Sequence, residues 1–502
     1  MSEWLRARSG SPPWTDLRGV DRRTVRRELV PALGVAMLSI PQGLAYAVIA
    51  GLPPAAGLYA GALPAVVGSL IRSSRTALVG PSNAVSLLVA TSVISQLPDP
   101  LAAAATLALM VGVMQILAGV LRLDALVDFI SRSVVTGYIT GAATLIVVGQ
   151  LPNVTGTLRS GGDILSRLGH WLSTLPLLDP IAVLIACTSV AGIVVLRWWL
   201  PKGFPALAVM AVSVVVSWAF DLDVDTIADI AHIPQALPPL ALPSIAGAYR
   251  LFPVAVATMV LSLVESTSVS RTLADRSGQR LRMPWDFAGL GAANVAAALT
   301  GAYPVSGSLA RSGLNYTLGA RTRIAGMTAG GLVLLVPVVL GGVLDYTPVA
   351  TLAAVILVVA VDLVDPVAIR SLLRSGPADR FAFLGTVLGT WFLPLDEAIY
   401  LGVAISVVLF LRRVRLLVIR ELWIDRKLRL YEVEADRPAP TGVRCRAVRV
   451  LHVEGPLFFG SASELDAALT ERIDDLGGRP GARGAAQAQG LDFTVGAVLR
   501  RA

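Results

Sequence analysis

The chain has 502 residues, of which 55% are hydrophobic and only 15% charged, with a net charge of +8. About a quarter of a soluble domain's residues are charged, so this composition excludes an ordinary soluble protein and points to one that lives in a bilayer. The positive balance does not imply nucleic acid, because the arginines lie in short connections between apolar runs, where they report orientation.

In chain order, residues 1–28 are basic and lack a cleavable apolar core, so they read as a cytoplasmic N-terminal segment and not a signal peptide. A transmembrane domain is expected over 29–415, with about fourteen segments, some of them half-length or re-entrant. A first repeat, 29–220, holds apolar runs at 30–49, 56–71, 82–95, 102–121, 132–150, 181–200 and 205–220. A second, 251–415, holds runs at 251–271, 286–300, 308–318, 324–343, 348–364, 381–392 and 397–411. With the N-terminus cytoplasmic, the inner connections carry Arg72, Arg75, Arg122, Arg197, Lys202, Arg271, Arg276, Arg280, Arg282, Arg321, Arg323, Arg370, Arg374 and Arg380. The outer ones are mostly acidic, with Asp163, Asp179, Asp221, Asp223, Asp225, Asp229, Asp345, Asp396 and Glu397. That asymmetry places both termini in the cytoplasm of an inner (plasma) membrane protein. Two sets of seven with opposite orientation form an inverted repeat, and the expected fold is an all-α polytopic membrane protein.

The third segment of each set is broken. The first break reads Val79-Gly80-Pro81-Ser82-Asn83-Ala84. The second reads Tyr303-Pro304-Val305-Ser306-Gly307-Ser308-Leu309-Ala310-Arg311-Ser312. Paired interrupted helices mark a central binding site, and their exposed N–H groups and positive dipole ends suit an anion. The candidate substrate-binding residues there are Ser82, Asn83, Ala84, Ser306, Gly307, Ser308, Leu309, Ala310 and Arg311. Each Ser or Asn side chain can donate to a ligand or cap its own helix. Arg311 either adds charge for the anion or pairs with an acid such as Glu265. In the first span, Pro41-Gln42-Gly43 interrupts the helix, and Gln42 either reaches the substrate or makes an interhelical hydrogen bond. Glu265, in Leu261-Ser262-Leu263-Val264-Glu265, is a carboxylate at membrane depth and the candidate for proton coupling. Its alternative is a helix-end residue facing the cytoplasm. Asn294 and Asn315 read as residues that hold helices together.

His170, His232 and His452 form no metal-ligand spacing, and no nucleophile, phosphate-loop or paired-cysteine motif occurs, Cys187 and Cys445 being far apart. The expectation is no metal, no cofactor and no catalysis. From about Arg415 charges become dense. Residues 448–453 alternate like a strand, and 463–474 reads as an amphipathic helix capped by Ser463. Residues 416–502 are therefore expected to form a small, partial α/β cytoplasmic domain with a disordered tail after Asp475.

Three stretches carry a family resemblance: SIPQGLAYAVIAGLPPAAGLYAG at 39–61, VGPSNAVSLL at 79–88, and ANVAAALTGAYPVSGSLARSGLNYTLGARTRIAG at 293–326. They resemble the sulfate permease (SulP) anion transporters, whose animal branch includes prestin and pendrin. The resemblance covers about residues 20–470. It implies a seven-plus-seven inverted repeat divided into core and gate domains, with the substrate between the third and tenth segments. It also implies elevator movement of the core, a homodimer and a cytoplasmic STAS domain, whose opening VRVLHVEGPLFFGSASELDAAL at 448–469 resembles. Ala310 stands where many members have Ser. Val269 stands one turn after Glu265, where the sodium-coupled bicarbonate branch has Thr; this favours protons as the coupling ion. The STAS likeness stops near Asp474, as in a truncated domain.

The expected function is proton-coupled uptake of a small anion, sulfate first, then a C4-dicarboxylate such as fumarate, then bicarbonate. A nucleobase permease would be expected to place acids at the central site. An anion channel or a non-transporting STAS-linked sensor is the alternative class.

Overall fold

The computed structural model describes residues 21–415 apart from 93, 95–96, 125–129, 159–160, 202, 241 and 244–246. It also describes Trp14, Leu17 and the segments 418–424, 430–432, 450–454 and 465–467. Most of the expected segment 1–28, most of the expected helix 463–474 and all of the expected disordered tail lie outside the described residues.

The chain forms two compact units, Met1–Val403 and Ala404–Ala502. The first opens with helix α1 (Arg22–Ile49), whose N-terminus is capped by Asp21 accepting from the Thr24 amide at 2.8 Å. Helices α2 (Pro54–Gly61) and α3 (Leu63–Ile71), strand β1 (Val79–Gly80) and the short α4 (Asn83–Thr91) follow. Next come α5 (Pro100–Val120), α6 (Arg132–Thr155), α7 (Ile164–Thr174), α8 (Pro180–Leu196), α9 (Phe204–Phe220) and the single-turn α10 (Ile227–Ile230). The second half repeats the order. It runs α11 (Ala248–Ser277), α12 (Met283–Leu299), strand β2 (Ser306–Gly307), the short α13 (Leu309–Thr317), α14 (Ile324–Leu344) and α15 (Val349–Leu363). It closes with α16 (Pro366–Arg374) and α17 (Pro377–Phe392), and α18 (Leu395–Arg415) runs from the first unit into the second.

Every expected apolar run coincides with a helix, but among the described residues only seven spans are long and apolar enough to cross a bilayer. The pair α7–α8, bent by 117°, would make eight. The remainder are short because Gly, Pro or a capping Ser starts or stops them, apart from α18, whose 21 residues carry charges at both ends. The α14 span has a mean hydropathy of 2.2 yet is only 39% buried. Its exposed Leu335, Val339 and Val343 present an apolar surface that suits lipid and not water.

Small residues set the closest crossings. A Cβ on Gly57 would stand 1.8 Å from the Gly43 carbonyl oxygen, so α1 and α2 cross with backbones in contact. The Gly-rich stretch 39–61 therefore spells a helix crossing as well as a kink. The helices sort into two packed groups: α5, α12, α3, α14 and α11 with α1, and α6 with α8, α15 and α17. Helix α1 also touches α9 and α15, bridging the groups.

Two arginines expected in cytoplasmic connections are interior. Arg72 is fully buried, 2.5 Å from Asp286, and both bond to Ser270. Arg323, also buried, donates to the carbonyls of Ser69 and Arg72 at 3.0 and 2.8 Å. The physical reason is that α3 ends inside the protein, where its last carbonyls need donors and Asp286 needs a counter-charge.

In the second unit, strands β3 (Val418–Ile424), β4 (Leu430–Glu432) and β5 (Val450–Glu454) form an antiparallel sheet in the order β4-β3-β5. Strand β5 falls on the expected alternating stretch, while β3 and β4 were not anticipated.

Candidate functional site

The two breaks meet. Strands β1 and β2 pair antiparallel, with Val79 opposite Gly307 and Gly80 opposite Ser306. The Ser308 amide extends the ladder to the Leu78 carbonyl at 3.0 Å, and Ser312 Oγ accepts from the Leu78 amide at 2.8 Å. Helices α4 and α13 begin just after the two strands. Their caps match: Ser82 Oγ accepts from the Val85 amide and Ser308 Oγ from the Arg311 amide, both at 3.4 Å.

Polar side chains behind the crossing hold it in place. Asn294 accepts from the Val305 amide at 2.8 Å and donates to the Val305 carbonyl and to Gln115 Oε1. Gln115 in turn donates to Ser262 Oγ, and Ser306 Oγ to the Ser262 carbonyl. Asn315 donates to the Thr76 carbonyl at 3.0 Å. Both asparagines thus hold backbone, as their residue type suggested. Glycine makes room at two points, against backbone at Gly307 and against the end of the Arg311 side chain at Gly80. A Cβ on Gly80 would lie 2.3 Å from Arg311 Nη1, and one on Gly307 would lie 2.7 Å from Ser266 Cα.

The predicted site residues separate into three environments. Asn83, Ala84 and Glu265 line a cavity with about 660 Å³ of empty space, walled by Val134 and Tyr138 of α6 and Leu363 of α15. Ser82 Oγ donates to Glu265 Oε2 at 3.0 Å at its edge. Asn83 Oδ1 accepts from the Ala84 amide at 2.8 Å, so an amide oxygen occupies one of the N–H groups an anion would seek. Ser306, Gly307 and Ser308 are buried within the crossing, whereas Leu309 and Ala310, the first two residues of α13, are exposed. Arg311 is buried behind it. Its Nη2 donates to the Pro81 carbonyl at 2.5 Å, and its side chain borders a smaller space, about 220 Å³, beside Ser39, Gly61 and Gly326. Gln42 lines neither cavity. It is buried in α1, which packs against both α4 and α13, and its Oε1 has no hydrogen-bond partner among the described residues.

Sequence reasoning missed Tyr138, whose hydroxyl is buried in the cavity wall without a partner among the described residues. The only available signal was a phenol at mid-span in an apolar run. The arrangement offers an anion the amide dipoles of two half-helices and a nearby guanidinium charge. One carboxylate, bonded to the cap of α4, lines the larger cavity, which neither Arg311 nor the first turn of α13 borders.

Comparison with known proteins identifies the family and the fold. The sequence pattern of the sulfate permease family matches residues 25–386. A probable sulfate transporter of Mycobacterium tuberculosis is 32% identical over 411 residues, covering 80% of this chain and 73% of its own. The fold resembles that of the murine Solute Carrier 26 family member A9 anion transporter in the inward-facing state. The TM-score is 0.85 at 18% identity, over 98% of this chain and 86% of that one. It also resembles the transmembrane domain of a cyanobacterium bicarbonate transporter, with a TM-score of 0.66 at 21% identity, over 77% of this chain and 98% of that one.

Proposed function

The chain belongs to the sulfate permease family, and from that premise we propose that it takes up sulfate, driven by the proton gradient. The anion is held where α4 and α13 begin, its charge met by the half-helix amides and by Arg311 behind them. Ser82, Asn83 and Ala84 face it from one side, and the first turn of α13, Ser308 to Ala310, from the other. Ser306 and Gly307 fix their spacing, and Gln42 supports the two helices from α1.

The observation that carries the coupling is the 3.0 Å hydrogen bond from Ser82 to Glu265 at the cavity wall. An ionised Glu265 repels the arriving dianion across a short distance. A protonated one removes that repulsion, so proton and anion bind together. Val269, one turn on, packs with Ala77 and Leu273 and offers no oxygen to a sodium ion. The seam between the two helix groups, where the cavity lies, is where the group holding both breaks would slide as an elevator against the α6, α8, α15 and α17 group. Homodimer assembly and cytoplasmic termini belong to the same reading.

The test is uptake of labelled sulfate, fumarate and bicarbonate into proteoliposomes under an inward proton or sodium gradient. Sulfate accumulating only with the proton gradient supports the proposal. Preference for fumarate or bicarbonate replaces the substrate, and sodium-driven accumulation removes the proton from it.

A further inference from the structure

A second cavity, with about 700 Å³ of empty space, lies at the other end of α4. Its walls include Leu87 and Thr91 from the last turns of α4, Leu145, Gly149 and Gln150 from the second half of α6, and Arg167 from α7. The first cavity is lined by α4 at Asn83 and by α6 at Val134. Along α6 the extremes, Val134 and Pro152, are about 27 Å apart at 1.5 Å per residue, close to the thickness of a hydrocarbon core. The two cavities therefore lie toward opposite faces of the membrane along the same pair of helices. On α6, Ala142 borders the first and Leu145 the second, so about one helical turn separates them.

The second cavity would repel an anion without Arg167. The C-terminal end of α4 lies there, and that end of a helix dipole is negative even with Thr91 and Ser92 bonded to the carbonyls of Leu87 and Val89. Arg167 reverses the sign. Its Nε donates to the Gly162 carbonyl at 2.9 Å, which anchors the side chain, and Nη1 lies over Gly149, 4.0 Å from where a Cβ would stand. Asp163, four residues earlier on the same segment, is the carboxylate that acts on it electrostatically, and it is occupied as the N-cap of α7. Gln150 accepts from Asn153 through Oε1, which leaves its amide N–H groups as the part it can offer. No carboxylate lines this cavity among the described residues.

We propose that this cavity is an anion-collecting vestibule on the membrane face opposite the Glu265 cavity, with Arg167 as its charged wall and small oxyanions such as sulfate as its ligands. The inference rests on the transport reading above. It adds a second site, remote from both helix breaks.

The test uses a thiol placed in the vestibule. In a chain with Cys187→Ser and Cys445→Ser, Thr91→Cys is labelled in sealed vesicles by an anionic sulfonatoethyl methanethiosulfonate and by its cationic trimethylammonium counterpart. The ratio of the two rates reads the local charge. Arg167→Gln should lower the anionic-to-cationic ratio about tenfold, and Arg167→Lys should hold it within about twofold. A ratio unchanged by Arg167→Gln overturns the proposal. Should that variant not fold, the ratio with Arg167 in place is measured from about 10 mM to about 500 mM salt. It must fall severalfold, and a salt-independent ratio overturns the proposal equally. Sulfate counterflow in the same vesicles separates the two readings. Counterflow with an unmoved ratio sinks the vestibule alone, whereas an Arg167-dependent ratio without counterflow sinks the transport reading and leaves the anion site standing.

Discussion

The two helix breaks share a backbone and differ in their side chains. Each has a short strand, a capping serine and a nine-residue helix, and each cap accepts the amide three residues on at 3.4 Å. At the first break, the cap reaches Glu265, and the first two helical residues, Asn83 and Ala84, are buried in the cavity wall. At the second, Leu309 and Ala310 are exposed, and the residue one turn in, Arg311, turns back to hold the Pro81 carbonyl of the first. Backbone symmetry supplies two matched amide dipoles, while side-chain asymmetry puts the acid at the cavity and the base behind it. On the proposed function, the anion is met by what is repeated, the half-helix amides, and coupled by what is not, Glu265.

Substitutions can break this comparison at each level. Arg311→Ala should have the largest effect, because it leaves the buried Pro81 carbonyl unpaired and opens a void under Gly80. A loss of about 1–3 kcal/mol for the unpaired acceptor, together with loss of sulfate uptake, is expected, read as a lower thermal midpoint in detergent and in a flux assay. An unchanged midpoint would remove Arg311 from its bracing role. Asn83→Asp places a second carboxylate in the cavity beside Glu265 and should weaken sulfate by at least about tenfold, since charges near 4 Å repel by several kcal/mol at a protein surface. Competition binding with labelled sulfate checks this, and equal affinity would place the anion elsewhere.

A matched pair sharpens the contrast between the caps. Ser82→Ala and Ser308→Ala should each cost about 1 kcal/mol of stability as lost N-caps. Ser82→Ala should in addition raise the KM of proton-driven uptake about fivefold, a further 1 kcal/mol or so, because it also removes the donor to Glu265. Ser308→Ala should leave the pH dependence of uptake unchanged. If both shift the pH profile alike, the asymmetry argued from Glu265 is wrong.

Much of this was legible because Gly, Pro and Ser punctuate an apolar sequence at the points where the helices stop. The breaks at 79–84 and 303–312, the role of Asn294 and the strand at Val450–Glu454 could be read locally. Contacts between distant residues could not. Arg72 and Asp286 are 214 positions apart, and each looked like a charge at the end of a span. Arg323 looked the same until α3 was seen to end beneath it. Helices α7 and α16 were hidden in stretches read as connections, because a single short amphipathic run among polar residues resembles a loop. Where Arg311 points was also beyond the sequence. The residue type fits an anion site, but only the pairing of β1 with β2 brings Pro81 within its reach.

The central claim is that anion selection resides in the crossed half-helices and proton coupling in Glu265. The most direct measurement compares sulfate counterflow with proton-driven sulfate accumulation in one proteoliposome preparation of Glu265→Gln. Counterflow should persist while accumulation and its pH dependence disappear. Accumulation that still follows the proton gradient in this variant would contradict that claim.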